Sequence, residues 1–485
     1  MSLFHEDRLL IDGELVRAER TFETVDPATG KVLGRASDAD AGHVEAAVAA
    51  ARRAFDATGW MRDHDLRLRC LRQLHAALIE HREELRELTI AEVGAPRSLT
   101  YGPQLDQPIE MVSWYADLLE RYEFRDELGV VEIRGQKHRR WVEKEATGVV
   151  AGILPYNYPN QLALAKLAPA LAAGCTVVLK GAPDTPWTTL ALGRIIAEHT
   201  DIPAGVVNVL VSSGPETGQL LTTHADVDMI SFTGSTPVGK AIMSAASSTL
   251  KRVFLELGGK SAMIVLPDAD HAIAAQFAAF TICSHSGQGC ALTSRLLVSS
   301  GRHDEMVGLL TAMFGRVKYG DPADPATSMG PLISERKRSK VHAMVERAVA
   351  DGARLVTGGR PVDREGFFYE PTLLCDVDPA SEIAQEEVFG PVLAVIAYDD
   401  EDDAVRIAND SAYGLSGAVF GPDNDAASAI ARRIRSGTFS INGGNYFAPD
   451  APFGGFKQSG IGREMGVAGL EEFLELKTFA VVETS

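Results

Sequence analysis

The apolar positions change period along the chain. After Asp40, Val44, Ala47, Val48, Ala51 and Phe55 recur at three- and four-residue intervals, the spacing of an amphipathic helix. Helical spacing also runs from about Leu66 to Glu92 and from Leu105 to Tyr122. The first 35 residues read as short strands and turns, with Asp26-Pro27-Ala28-Thr29-Gly30 as a turn. Between Gly129 and Glu145, Val130–Ile133 and Arg139–Glu143 flank Gly135-Gln136-Lys137, which predicts a two-stranded hairpin. A hairpin alone is marginal, so it is expected to pair with something else, another subunit included.

From 147 the rhythm becomes strand, helix, strand, helix. Strands are predicted at Val149–Leu154, Thr176–Leu179, Val206–Val211, Met229–Thr233 and Val253–Leu257. Helices are predicted at Gln161–Ala173, Trp187–His199, Pro215–Thr223 and Pro237–Ser247. These strands are continuous apolar runs, as expected when helices cover both faces of a parallel sheet. The fold class is therefore α/β with a doubly wound sheet, which takes nucleotides at its strand carboxyl ends. A second α/β block starts at Gly258-Gly259 and runs to about 445. The tail from Leu470 ends in an apolar, strand-like run, Thr478–Val482.

A chain of 485 residues is too long for one core, so two or three domains are expected. The formal charge of −19 disfavours nucleic acid or an anionic membrane as the main partner. The longest uncharged central run, 146–165, contains Pro155, Asn157, Pro159, Asn160 and Gln161, which rule out a spanning helix. Five scattered cysteines form no Cys/His cluster with metal-ligand spacing, so no metal is expected. An odd, sparse set suits a reducing compartment, and the first residues lack a basic region followed by an apolar run. A cytoplasmic location is expected.

Chemistry concentrates in a few stretches. Ser284-His285-Ser286-Gly287-Gln288-Gly289-Cys290 puts a thiol on a glycine-rich turn after a helical run. A free cysteine is more often a buried, inert residue. Pro155-Tyr156-Asn157-Tyr158-Pro159 stiffens one amide, which either donates to an oxyanion or caps the next helix. Glu256-Leu257-Gly258-Gly259-Lys260 ends a strand with a carboxylate, either a general base or the partner of Lys260 or Lys251. Gly234 to Lys240 nearly spells a phosphate loop, but Ala241 stands where a magnesium ligand is needed, and the G-x-G-x-x-G fingerprint is absent.

Together PYNYP, FTGST, ELGGK, GQxC, EEVFGPV, YGLSG and PFGGxKxSGxGRE, in this order, resemble the aldehyde dehydrogenase superfamily over nearly the whole chain. The resemblance implies two doubly wound domains plus a small β oligomerisation element. Residues 1–123 and 147–258 would form the dinucleotide-binding domain. Residues 259–445 would form the catalytic domain, with 446–469 returning towards the cofactor domain. Residues 124–146 and 470–485 would be oligomerisation strands. It further implies oxidation of an aldehyde to the acid, without CoA. Cys290 would be the nucleophile, Asn157 the oxyanion donor and Glu256 the base that hydrolyses a thioester. Cofactor contacts are implied at Leu154, Pro155, Lys180, Gly214, Gly218, Phe232, Gly234, Ser235, Val238, Leu257, Gly258, Glu387 and Phe389. Family position assigns Trp114, Tyr158, Leu162, Tyr446, Phe447 and Phe453 to a pocket for an apolar or aromatic aldehyde. The cofactor expected is NAD. Gly181-Ala182-Pro183 lacks the carboxylate that would repel a 2′-phosphate, which leaves NADP open. A homodimer or homotetramer is expected. The rival readings are a CoA-acylating semialdehyde dehydrogenase, a cysteine hydrolase using His285, and a catalytically silent binding protein on this fold.

Overall fold

The computed structural model describes residues 5–483. The first four residues, on which the reading of the amino terminus falls, and the last two of the tail lie outside them.

Five parallel strands, Val149–Ile153, Thr176–Lys180, Val207–Leu210, Met229–Thr233 and Arg252–Glu256, form the centre of an eight-stranded sheet. Every residue of the first four is buried, as their unbroken apolar runs require. The chain lays two strands to one side of Val149–Ile153, then returns and lays the other two on the opposite side. That reversal opens a crevice between the ends of Val149–Ile153 and Met229–Thr233. The sheet is not parallel throughout. Leu9–Ile11 and Glu14–Val16 extend one edge and Gly460–Ile461 the other, all antiparallel. Edge strands carry little periodicity, which is why the sequence pattern shows only short strands near the amino terminus.

A seven-stranded sheet holds Ser261–Val265, Thr293–Ser299 and Val392–Tyr398 at its centre. Leu257 to Lys260 link the last parallel strand of the first sheet to Ser261–Val265. The carboxyl ends of one sheet therefore meet the amino ends of the other. A third sheet pairs Leu474–Val482 with Gln136–Ala146 and that with Arg125–Ile133. The predicted hairpin thus finds its partner in the same chain. Its turn is tighter than the sequence implied: Gln136 and Lys137 belong to the strand, and Arg134-Gly135 turn with φ 53° and 79°. The helical stretch 66–92 is two helices, His64–Glu80 and Arg82–Val93, broken at His81.

The Pro159–Ala173 helix is buried on every side. Its one charged residue, Lys166, is held by Glu464 at 2.6 Å and Thr233 at 2.8 Å. A buried ammonium needs such partners.

Candidate active site

The turn after the His271–Cys283 helix is bent by three successive residues in the left-handed region. His285 has φ 45°, Ser286 φ 55° and Gly287 φ 72°. Two of these are not glycine, so surrounding contacts must hold them. Ser286 Oγ donates to Gly330 O at 2.5 Å. Gln288 donates to His285 O and Pro331 O, and its Oε1 accepts from Ile333 N at 2.9 Å. At Gly287 a Cβ would lie 2.0 Å from the Gly390 carbonyl oxygen. The result is Cys290 at a fixed point between the two sheets, partly exposed, with a backbone N–H that donates to no group among the described residues.

Asn157 follows the first parallel strand. Gln104 Nε2 donates to its carbonyl at 2.9 Å, and its own Nδ2 donates to Gln288 O at 2.9 Å. One amide hydrogen thus ties the loop to the thiol turn and the second is left over. The helix-cap alternative does not hold: Tyr158 occupies the cap position, and no side chain caps that helix. Glu256 is 1% exposed, and among the described residues neither carboxylate oxygen accepts a hydrogen bond from a nitrogen or oxygen donor. It pairs with neither Lys251, which donates to Val227 O and His224 O, nor Lys260. Burial, and next the charge of Glu464, push its pKa up to about 8; the Cys290 thiol and Lys166 pull it back. The Cys290 thiol is itself driven well above its ordinary value by burial and then by Glu256. Thiol and carboxyl therefore face each other: the carboxylate disfavours the thiolate, while the thiol favours the ionised carboxylate.

Two cavities meet here. One, of about 130 Å³, is lined from the first sheet by Pro155, Tyr156, Thr233, Gly234, Ser235, Glu256 and Gly258. Lys337, Lys340, Glu387 and Phe389 line it from the second block. The other, of about 150 Å³, is lined chiefly by Tyr158, Leu162, Leu292, Phe447, Phe453 and Met465. Asn157 and Cys290 are the two residues that line both.

The first cavity opens at the crevice of the parallel sheet, where such sheets take nucleotides, and its volume suits one end of a dinucleotide. Ser235 begins the Thr236–Ala246 helix with no side-chain cap, so its first N–H groups are open to a phosphate. Lys180, 6% exposed and pushed down to about 8 by burial, has no side-chain partner among the described residues. Glu387 accepts from Gly259 N at 3.1 Å and lies so close to Gly258 that a Cβ there would come within 2.6 Å of it. A carboxylate so placed can accept from a ribose hydroxyl.

Of the other expected cofactor residues, Leu154, Phe232 and Leu257 are buried beside this crevice, and Val238 is exposed on the helix that Ser235 opens. Gly214 and Gly218 lie around the start of the Glu216–Thr223 helix. Trp114 and Tyr446 are not among the residues lining the apolar cavity, though Tyr446 lies near the Cys290 thiol. Trp114 packs edge-on against Tyr115, and the Tyr446 hydroxyl lies beside Thr438 and Ser416. His285 is fully buried; burial lowers its pKa to about 4, against a smaller upward pull from the Asn157 backbone. It is not paired with Cys290 as a hydrolase would need. Sequence reading missed Lys166, Gln161, Met465, Lys337 and Lys340. Only Lys166 left a signal: a lone charge inside an apolar helix.

Fold and site together are those of a nucleotide-dependent thiol enzyme. Comparison with known proteins makes this specific. The model of the Aldehyde dehydrogenase family matches residues 15–479. The chain is 42% identical to 3-succinoylsemialdehyde-pyridine dehydrogenase of a Pseudomonas species, covering 98% of both proteins. It superposes with TM-score 0.93 on a Mycobacterium tuberculosis aldehyde dehydrogenase complexed with NAD+, 41% identical, covering 97% of each chain. With a mutant of aldehyde dehydrogenase C from Pseudomonas syringae, complexed with NAD+ and octanal, the TM-score is 0.92 at 39% identity, over 98% of this chain and 96% of that one. This chain belongs to the aldehyde dehydrogenase family; it is an NAD(P)-dependent oxidoreductase acting on an aldehyde. Among the described residues no helix is long and apolar enough to cross a membrane.

Proposed function

We propose that this enzyme oxidises an uncharged, apolar or aromatic aldehyde to the acid with NAD, through a covalent adduct on Cys290. The observation that carries this reading is the position of Cys290 and Asn157 at the junction of the two cavities. Cys290 Sγ attacks the aldehyde carbon and its proton passes to the facing Glu256, which releases it to solvent before the acyl enzyme is hydrolysed. The new oxyanion accepts from the second amide hydrogen of Asn157 and the Cys290 N–H. When bound, NAD supplies the hydride acceptor that turns this thiohemiacetal into a thioester. Glu256 then takes a proton from the water that releases the acid. Ser235 with its helix, Lys180 and Glu387 would hold the cofactor, with Phe389 beside it in the lining of the first cavity.

The substrate class follows from the lining of the apolar cavity. Among the described residues, its one charged side chain, Glu464, is neutralised by Lys166 at 2.6 Å, and no arginine or lysine lines it. An aldehyde with a carboxylate tail would lose its hydration there without a cation in return. The names of two relatives, one acting on a pyridyl semialdehyde and one bound to octanal, agree with an uncharged tail. In an absorbance assay of NADH formation, octanal or an aryl aldehyde should exceed a carboxylate-tailed aldehyde of similar length by at least about tenfold in kcat/KM. Equal rates, or faster turnover with NADP, would remove the corresponding part of the proposal.

We further assign residues 1–123 with 147–258 to cofactor binding and 259–445 to the thiol domain, 446–469 returning to the first. The strands 124–146 and 470–485 serve assembly into a homodimer or homotetramer in the cytoplasm. Support for assembly is the apolar surface of the third sheet: Leu128, Val130, Ile133, Leu476, Val481 and Val482 are 41–71% exposed. Light scattering at micromolar concentration should give twice or four times the chain mass; a monomer would contradict it. Support for a reducing compartment is that all five cysteines are free.

A further inference from the structure

A second cluster of ligand-type side chains lies away from the thiol. His81 sits at the junction of two helices, as the residue after His64–Glu80 and before Arg82–Val93. Its backbone N–H donates to Ala77 O at 3.0 Å, so its position is fixed. His199 is the last residue of Pro186–His199. The two Nε2 atoms stand 3.1 Å apart. One carboxylate oxygen of Glu80 and one ring nitrogen of each histidine lie within 4.8 Å of one another.

The surrounding contacts fix the chemistry of His81. Its Nδ1 is 2.8 Å from Glu84 Oε2, and that same oxygen is 3.3 Å from Arg194 Nη2. A carboxylate beside Nδ1 favours a proton there, and in the neutral ring that leaves the Nε2 lone pair turned to His199. Carboxylate–histidine–metal chains have this arrangement, with the carboxylate orienting the ring and raising its basicity. Two imidazole nitrogens on one tetrahedral ion bonded at ~2.0–2.1 Å lie about 3.3 Å apart. The observed separation matches without moving either helix. Two imidazoles and one carboxylate form a donor set suited to zinc or a neighbouring transition metal rather than magnesium or calcium.

We propose that Glu80, His81 and His199 bind one divalent transition-metal ion of the zinc class, with Glu84 orienting His81. Binding displaces the proton held between the two imidazoles and leaves the remaining position to water. The ion would pin the end of Pro186–His199 to the junction of the other two helices. Pro186–His199 runs back from the cofactor end of its strand, so His199 lies at the opposite edge of the sheet from Cys290. The site is a structural staple and no part of the reaction.

The test uses untagged full-length protein carrying Cys290→Ser, so that the partly exposed thiol does not compete; the other four cysteines are buried. Equilibrium dialysis against Zn2+ should give one ion per chain. Adding His199→Ala should remove it, and adding Glu84→Gln should weaken it by about tenfold or more. Zn2+ should raise the unfolding midpoint of the parent and not of the His199→Ala protein, whereas Mg2+ should move neither. His199 ends an exposed helix turn, so its loss should leave the fold and, with Cys290 intact, aldehyde oxidation unchanged. Equal zinc stoichiometry with and without His199 would overturn the proposal and reduce the pair to an imidazole–imidazole hydrogen bond.

Discussion

Cys290→Ala should abolish aldehyde oxidation, by about ten-thousandfold or more in kcat, while nicotinamide cofactor still binds. The thiol is the group that lines both cavities and carries a nucleophilic atom, so no neighbour can replace it. Its alternatives are poor. Cys283 is buried at the end of the preceding helix, with a pKa pushed up to about 12 by burial. His285 is enclosed. The residues proposed to hold the cofactor, Ser235, Lys180 and Glu387, do not depend on the sulfur, so cofactor quenching of protein fluorescence should persist. Cys290 is also partly exposed, so its truncation leaves no large core cavity and the unfolding midpoint should hardly move. Substantial residual oxidation by a folded, cofactor-binding mutant would remove the covalent mechanism.

The sequence made the first sheet legible because its central strands are buried on both faces and so are written as unbroken apolar runs. It also located the stretches from which the site is built, because glycine and proline turns survive only where the backbone must bend or approach closely, as Gly287 does against Gly390. What it hid were relations across long separations. Glu256 has no local feature that tells a base from half of an ion pair; only the fold shows both oxygens without a nitrogen or oxygen donor among the described residues. Asn157 could equally have capped the next helix, and its bond to Gln288 spans 131 residues. Trp114 and Tyr446 were assigned by family position, and position along a helix or loop does not fix the direction of a side chain. The break at His81 was invisible because the apolar spacing continues across it. His81 and His199, 118 residues apart, form no motif at all.

The second large effect concerns Glu256. Glu256→Gln should leave the formation of the acyl enzyme measurable and slow its hydrolysis, so that a burst of NADH equal to the enzyme precedes a steady rate lower by about a hundredfold or more. Mass spectrometry should then find the acyl group on Cys290. Glutamine keeps the shape of the buried side chain and removes the basic oxygen, which separates chemistry from packing. The pH dependence gives an independent reading. The base acts when ionised, and burial pushes its pKa up to about 8, so wild-type hydrolysis should rise as pH climbs through about 8. The stability effect has the opposite sense. A carboxyl whose pKa is raised on folding gives stability that is fully present below its ordinary value of 4.5 and is lost as pH rises through about 8. Glutamine cannot ionise, so the unfolding midpoint of the mutant should gain on that of wild type between pH 6 and pH 9. A mutant that turns over at the normal rate would show that another group activates the water. One whose midpoint falls behind wild type as pH rises would show that the ionised carboxylate is held by partners absent from its surroundings here. The two readouts therefore test the role of the residue and the environment that suits it to that role.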